Sequence, residues 1–131
     1  MRKRSKSKIT IDRADRSLQD AYRRKYKGEL CESCLGQLFQ VIHHHISKSK
    51  SNAGRFRQPI NYIKLCHSCH SKIIFGDNNI VATYSIKRGK RWLEKIEKLK
   101  AIKRPYFSRG ELQKIINYYK IWKKKEQPIP F

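Results

Sequence analysis

The sequence has few acidic residues and no long apolar run. It contains 10 Asp and Glu against 32 Lys and Arg, which gives a formal net charge of +22 over 131 residues. Such an excess of cations favours a polyanionic partner, with nucleic acid as the first candidate and a membrane surface as its rival. A bilayer-spanning helix needs about 20 apolar residues in succession. Because no stretch approaches that length, we predict no membrane-spanning part.

Residues 1–8 are basic and no apolar segment follows them, so the sequence predicts no secretory leader. The four cysteines lie in two tight C-x2-C pairs beside histidines, which favours metal binding over disulfides. We therefore expect a reducing, cytoplasmic location. Hydrophobic residues make up 38% of the chain. A protein with such a small hydrophobic core commonly needs additional stabilisation by a metal ion or a partner.

The sequence does contain two closely spaced cysteine pairs. Cys31 and Cys34 form the first pair, and Cys66 and Cys69 form the second. Four thiolates at this spacing suit a tetrahedral structural Zn²⁺ with no open coordination position. His70 follows the last cysteine and could replace one thiolate, in a site of three cysteines and one histidine. Because four cysteines are present, the sequence favours the all-cysteine arrangement.

The length of 131 residues predicts a single domain, and the cysteine pairs predict that zinc stabilises it. The hydrophobic periodicity predicts an α+β fold for this domain, which lies between two terminal segments. The first segment is a basic, flexible arm, and the last is a short tail. The predicted bounds are 1–11 for the arm, 12–125 for the domain (core 31–77, helical part 78–125) and 126–131 for the tail.

The core of this domain is predicted to be two strands and a short helix, flanked by an N-terminal helix and two C-terminal helices. For residues 78–87, the sequence is compatible with either a helix or a connector. An S-R-G-E capping box marks the start of the last helix. The predicted elements are a helix at 12–27, strands at 38–46 and 61–65, a short helix from Cys66 to near Gly76, and helices at 89–103 and from 109 onward.

Three consecutive histidines end the first predicted strand. Alternation along a strand puts His43 and His45 on one face and His44 on the other. Such a row can simply be a polar strand end, and Asn61 alone often marks a turn. Hydrolysis of DNA, however, needs a divalent metal at the phosphate, a base such as neutral histidine, and a group that fixes the tautomer of that base.

These residues, in this order, resemble the HNH endonucleases, also called His-Me finger or ββα-metal nucleases. The matching parts are the H-H-I run with His44 and His45, then Asn61, then the L-C-H-S-C-H run that ends in His70. The resemblance covers about residues 31–77. It implies that His45 is the general base and Asn61 its orienting group. It also implies that His44 and His70 bind a catalytic Mg²⁺ or Mn²⁺.

The flanks are similar in layout to a narrower family, the phage NinG/Rap recombination nucleases. Both have a basic helical lead, two C-x-x-C pairs, a loop with an Arg55-Phe56 step and two terminal helices. The resemblance implies branched DNA, such as Holliday junctions or D-loops, as substrate in the cytoplasm of a phage host. That family does not regularly carry the His-His pair and closing His found here. A general HNH nicking endonuclease without junction preference therefore stays open.

The loop between the strands is rich in cations that could contact DNA phosphates. A solvated basic loop is the plainer interpretation of each one, although Arg binds phosphate in a bidentate manner. Cleavage of both strands of a junction would need two active sites, which a homodimer would supply. The alternative function is a non-catalytic, zinc-stabilised module that binds nucleic acid. The candidate DNA contacts are Lys48, Lys50, Arg55 and Arg57.

Overall fold

The computed structural model describes residues 6–122, and the side chains of residues 11–122. Five α-helices and two strands make up this part of the chain, which confirms the predicted α+β class. In chain order they are α1 (Lys6–Lys25), β1 (Val41–His44), a 3-10 turn (Pro59–Asn61), β2 (Tyr62–Leu65), α2 (His67–Ile74), α3 (Asn78–Arg88), α4 (Lys90–Ala101) and α5 (Arg109–Lys120).

The chain folds as two compact units, whereas the sequence predicts one domain over 12–125. Gly28–Tyr106 form the central unit, and Met1–Lys27 with Phe107–Phe131 form the terminal unit. The terminal unit is discontinuous in sequence, and its two described helices bury matching apolar faces against each other. Periodicity within a single segment carries no information on such pairing between distant segments.

The predicted flexible arm needs a correction, because α1 begins at Lys6 and not near Asp12. The run K-S-K-I-T-I contains neither proline nor glycine, so nothing in its backbone chemistry stops the helix from extending through it. Residues 1–5 of the arm and the tail at 126–131 lie outside the described residues.

The central unit is built on a β–β–α motif. The antiparallel strands β1 and β2 pair Val41 with Leu65 at one end and His44 with Tyr62 at the other. Helix α2 follows directly and packs on both strands. Its N-terminal cap is Cys66, whose sulfur accepts a hydrogen bond from the Cys69 N–H at 3.4 Å. The short helix predicted after Cys66 is thereby confirmed.

Two further helices complete the central unit. Residues 78–87, for which the sequence allows a helix or a connector, are helical and belong to α3. This helix is capped by the Asp77 carboxylate. Gly89, at φ +87°, makes the break between α3 and α4. Helix α4 buries Trp92, Ile96 and Leu99 in the core, and the Trp92 indole N–H donates to the Ile60 carbonyl at 2.6 Å. Both helices therefore pack beside the β–β–α motif as parts of one core.

The described helices of the terminal unit are α1 and α5. Helix α1 buries Ala14, Leu18 and Ala21, none of which is exposed to solvent. Helix α5 begins at the predicted capping box, in which Ser108 and Glu111 bond to each other's backbone N–H groups. Within residues 6–122, no helix has the length and apolar character needed to cross a membrane.

Candidate functional site

The four cysteines converge on one point, which the structure shows to be compatible with a structural zinc. Their sulfur atoms all lie within 4.8 Å of one another. The sulfurs of Cys34 and Cys66 are 3.9 Å apart. A tetrahedral Zn²⁺ with bonds of about 2.3 Å would hold its sulfur ligands about 3.8 Å apart. The cluster therefore fits a zinc site with four thiolate ligands, and the nitrogen of His70 is not needed for it.

The protonation of the thiols depends strongly on their surroundings. Burial, together with the neighbouring sulfurs, raises the pKa of Cys69 to about 12. A hydrogen bond from the Gly36 backbone lowers the pKa of Cys34 to about 7. A bound Zn²⁺ would displace the thiol protons and hold all four sulfurs as thiolates. The donor set thus suits a soft divalent metal better than Mg²⁺, which prefers oxygen.

An ion pair ties the first cysteine turn to the rest of the central unit. The guanidinium of Arg88 binds the Glu32 carboxylate with two nitrogens, at 2.9 Å each. The same carboxylate accepts the Lys64 N–H at 2.7 Å. Arg88 also donates to the Tyr62 carbonyl at 2.7 Å and covers the Trp92 ring. Arg88, a residue of α3, therefore connects the first cysteine turn with β2 and α4.

The histidines of β1 follow the alternation of a strand. His44 is buried with its ring against Tyr62, at 5.0 Å between ring centroids. His43 faces the other way, and its ring lies 5.4 Å from that of His70 on α2. His43 is therefore the β1 histidine that contacts His70, although the resemblance paired His44 with it. Because side chains alternate along β1, His43 lies on the side of His70 and His44 on the opposite side.

His43 and His70 form a pair of neutral imidazoles at pH 7. Burial and the charges of the three neighbouring histidines lower the pKa of His43 to about 4. Burial, and then the charges of His67 and Lys48, lower the pKa of His70. A neutral imidazole has a nitrogen lone pair that can bind a metal ion. The pair could hold a divalent cation whose other ligands are water and phosphate oxygen.

His45 lies on the same face of the chain as His43 but contacts α3 and α4. Its Nδ1 is 2.7 Å from the Tyr84 hydroxyl, and its ring packs edge-on against Trp92. Burial lowers the pKa of His45, and the charges of Lys100 and Arg88 act in the same direction. His45 is therefore neutral at pH 7, as a general base must be.

The hydroxyl of Tyr84 decides which nitrogen of His45 can act as a base. Tyr84 is fully buried, and burial raises its pKa, so the phenol stays protonated. If Nδ1–H donates to the phenol oxygen, Nε2 carries the lone pair. If the phenol donates to Nδ1, that lone pair is occupied and Nε2 carries the proton. Only the first arrangement leaves a basic nitrogen on the far side of the ring.

His44 has a different partner and a different role. Its Nε2 lies 2.9 Å from the Arg55 carbonyl. A carbonyl only accepts hydrogen bonds, so Nε2 carries the proton and donates it. The Tyr62 hydroxyl donates to the same carbonyl at 2.9 Å. His44 thus fastens the loop between the strands to the end of β1.

Asn61 is an anchor for that loop. It has no exposed surface, and its side chain makes three hydrogen bonds, all to backbone. Its oxygen accepts the Ile46 N–H at 2.7 Å, and its amide donates to the carbonyls of Ile46 at 3.1 Å and Gly54 at 2.9 Å. Its own carbonyl accepts the His45 N–H at 2.9 Å. Asn61 therefore positions the backbone of His45 and Ile46, whereas the side chain that hydrogen-bonds to the His45 ring is that of Tyr84.

A glycine makes this anchor possible. A Cβ placed on Gly54 would lie 2.8 Å from the Asn61 amide nitrogen, too close for any real contact. The loop backbone can therefore approach the asparagine only because residue 54 has no side chain.

The predicted DNA contacts differ in exposure. Lys48, Lys50 and Arg57 are exposed, and Lys48 is near enough to His70 to lower its pKa. Arg55 is half-buried, with its guanidinium 5.7 Å from the centroid of the Phe56 ring. Lys48 therefore acts electrostatically on His70, one member of the histidine pair.

Several site residues were outside the sequence prediction. His43 could have been found from strand alternation, which separates it from His44. Tyr84 and Lys100 lie on α3 and α4, far along the chain, and belong to no local motif. Only the packing of those helices against β1 brings them to His45.

Comparison of the chain with protein-family models, curated proteins and solved structures finds no match. Function must therefore be inferred from the chemistry of the two sites themselves.

Proposed function

We propose that the protein is a metal-dependent DNA endonuclease of the HNH type, stabilised by a structural Zn²⁺ in the four-cysteine cluster. One observation carries the proposal. The imidazoles of His43 and His70 lie beside each other, and that of His45, two residues after His43, lies against Tyr84 and Trp92. Burial lowers the pKa of all three. If these histidines were only the polar end of a strand, three neutral imidazoles near lysines would not be needed.

The roles follow from the contacts. His43 and His70 would hold a catalytic Mg²⁺ or Mn²⁺, which when bound neutralises the scissile phosphate and the leaving oxygen. His45 donates Nδ1–H to Tyr84 and accepts the proton of the attacking water at Nε2. Lys48 lies near enough to His70 to offset phosphate charge. Hydrolysis in the manner of the resembling family leaves a 5′-phosphate and a 3′-hydroxyl.

The substrate we propose is branched recombination DNA, such as a Holliday junction or a D-loop. This part rests on the similarity in layout to the phage recombination nucleases and on the net charge of +22. The same similarity suggests action in the cytoplasm of a phage host. Symmetric cutting of a junction would require two copies of the chain.

The test is cleavage of an end-labelled four-way junction and its matched linear duplex, with Mg²⁺ or Mn²⁺. We expect wild type to cut the junction faster, and His45→Ala to lose about 100-fold or more in rate while it still binds DNA. His67→Ala, an exposed histidine between the zinc cysteines, is the matched control and should cut normally. Equal cutting of both substrates would keep the nuclease and remove the junction preference.

A second function is a zinc-stabilised nucleic-acid-binding module without catalysis. The observation that favours it is that His44 and His45 both have hydrogen-bond partners inside the fold. If no metal supports cleavage and DNA binding is tight in both wild type and His45→Ala, the binding module is the correct function.

A further inference from the structure

The terminal unit has a cationic groove between α1 and α5 that the nuclease site does not use. Its volume is about 390 Å³. Helix α1 contributes residues three, four and seven positions apart, so they share one helical face. Helix α5 contributes residues from one face as well. The polar lining residues are Arg13, Arg16, Ser17 and Asp20 from α1, and Gln113 and Lys120 from α5.

The charge of the groove is suited to an anion. Three of its polar lining residues are cations, and Arg13, Arg16 and Lys120 are all exposed. Its one carboxylate, Asp20, is already paired with the Arg23 guanidinium at 2.7 Å. The groove therefore presents a net positive field to solvent, with a hydroxyl and an amide between the cations as further hydrogen-bond donors.

The structure of the unit argues against a lipid or a single strand as the occupant. A helix that inserts into a membrane surface needs exposed apolar side chains. On the described part of α1, the apolar residues Ala14, Leu18 and Ala21 are fully buried. Binding of a single strand usually needs aromatic rings on which bases stack. Among the described aromatic rings of this unit, Tyr22 and Tyr119 each pack against Trp122 instead.

We propose that the groove between α1 and α5 binds the phosphate backbone of duplex nucleic acid, as a contact separate from the histidine site. Arg13 and Arg16 offer planar guanidinium groups that bind phosphate oxygens in a bidentate manner. Lys120 supplies a charge from the opposite wall. Because only backbone is contacted, the binding is independent of sequence.

The experiment measures binding of a labelled linear duplex over a series of NaCl concentrations, with zinc-loaded full-length protein and no added Mg²⁺ or Mn²⁺. The groove variant replaces Arg13, Arg16 and Lys120 with Gln. The glutamines keep a good helix former at each position. The matched control replaces three exposed cations of the same unit, Lys27, Arg109 and Lys114, with Gln, so both variants lose the same charge.

We expect the groove variant to flatten the slope of log K against log salt by about 2 to 3, since each phosphate contact contributes about 0.9. The control should flatten it by less than about 1. Equal slopes for the two variants would overturn the proposal, because net charge alone would then explain the binding.

The same variants are tested on phosphatidylserine vesicles. Selective loss of vesicle binding, with duplex binding retained, would also overturn the proposal. Binding without catalytic metal is measured independently of cleavage, so failure of the nuclease proposal would leave this result intact.

Discussion

Asn61 is a buried side chain that fixes the backbone at the end of β1, next to the His45 ring. Its amide satisfies three backbone groups of a polar loop that has no other regular structure. Its carbonyl also holds the N–H of His45. The loop and the end of β1 are thereby fixed relative to β2.

We predict that Asn61→Ala lowers the free energy of unfolding of the zinc-loaded protein by about 3 to 5 kcal/mol, since three buried backbone groups lose their partners. Urea denaturation followed by circular dichroism measures the change. Asn117→Ala is the control, because Asn117 is exposed and its side chain accepts a hydrogen bond from Gln113 at the surface of α5. A loss at Asn61 no larger than that at Asn117 would contradict the anchor role.

Tyr84 has the position of a group that sets the tautomer of His45. Tyr84→Phe removes the hydroxyl but keeps the ring, so the packing against Trp92 is conserved. We predict a fall in kcat of about 10- to 100-fold with little change in KM. Nitrogen NMR should find the proton of His45 on Nδ1 in wild type. A proton on Nε2 would assign the phenol as donor and remove His45 as the base.

His43 should make the stability of the fold depend on pH in the acid range. Its pKa is lowered to about 4 in the fold from the ordinary value of 6.5. The neutral ring therefore stabilises the fold fully above pH 6.5, and this stabilisation is lost as the pH falls towards 4. From about pH 6.5 to about pH 5 the loss should be about 1 to 2 kcal/mol. His43→Gln lacks the titrating group, so the difference between wild type and variant isolates it. A difference that stays constant with pH would refute this role of His43.

At the scale of elements, the zinc cluster and helix α2 depend on the same residue. Cys66 is a predicted zinc ligand and also the N-terminal cap of α2. The helix has only eight residues, too few to be stable alone. A metal ion bound by the cluster would therefore act together with the cap to fix the helix that carries His70.

We predict that Cys66→Ser loses bound zinc and the native fold of the central unit, because structural zinc supplies folding energy directly. Metal analysis and near-ultraviolet circular dichroism report the two losses. Ser68→Ala, an exposed neighbour on α2, should change neither. A Cys66→Ser protein with a native spectrum and no zinc would show that the fold does not need the metal.

Local sequence signals predicted the elements well where chemistry is local. The capping box at Ser108, the helix start at Cys66 and the cysteine spacing all specify their own surroundings. The start of α1 and the helical structure of α3 are harder to predict from sequence. A polar helix that is not interrupted by proline or glycine has no distinctive pattern. The pairing of α1 with α5, and the contact of Tyr84 with His45, depend on packing between distant segments. No periodicity within one segment encodes such contacts.

At the scale of the whole molecule, the charge of +22 favours nucleic acid as the partner. Each of the two units carries its own cations. The central unit has them in the loop after β1 and on α4, and the terminal unit has them in its groove. Under the two proposals, binding of the DNA backbone and hydrolysis depend on separate residues, so variants of one set should leave the other function measurable.

The most direct test of the proposed site is the rate of DNA cleavage in Mn²⁺ for His43→Ala and His44→Ala, both checked for zinc content and fold. His43 lies beside His70, where we propose the catalytic metal, and His44 lies on the loop carbonyl of Arg55. We therefore predict that folded His43→Ala loses about 100-fold or more in rate. Folded His44→Ala should retain most of its activity. An inactive, folded His44→Ala beside an active His43→Ala would contradict the assignment.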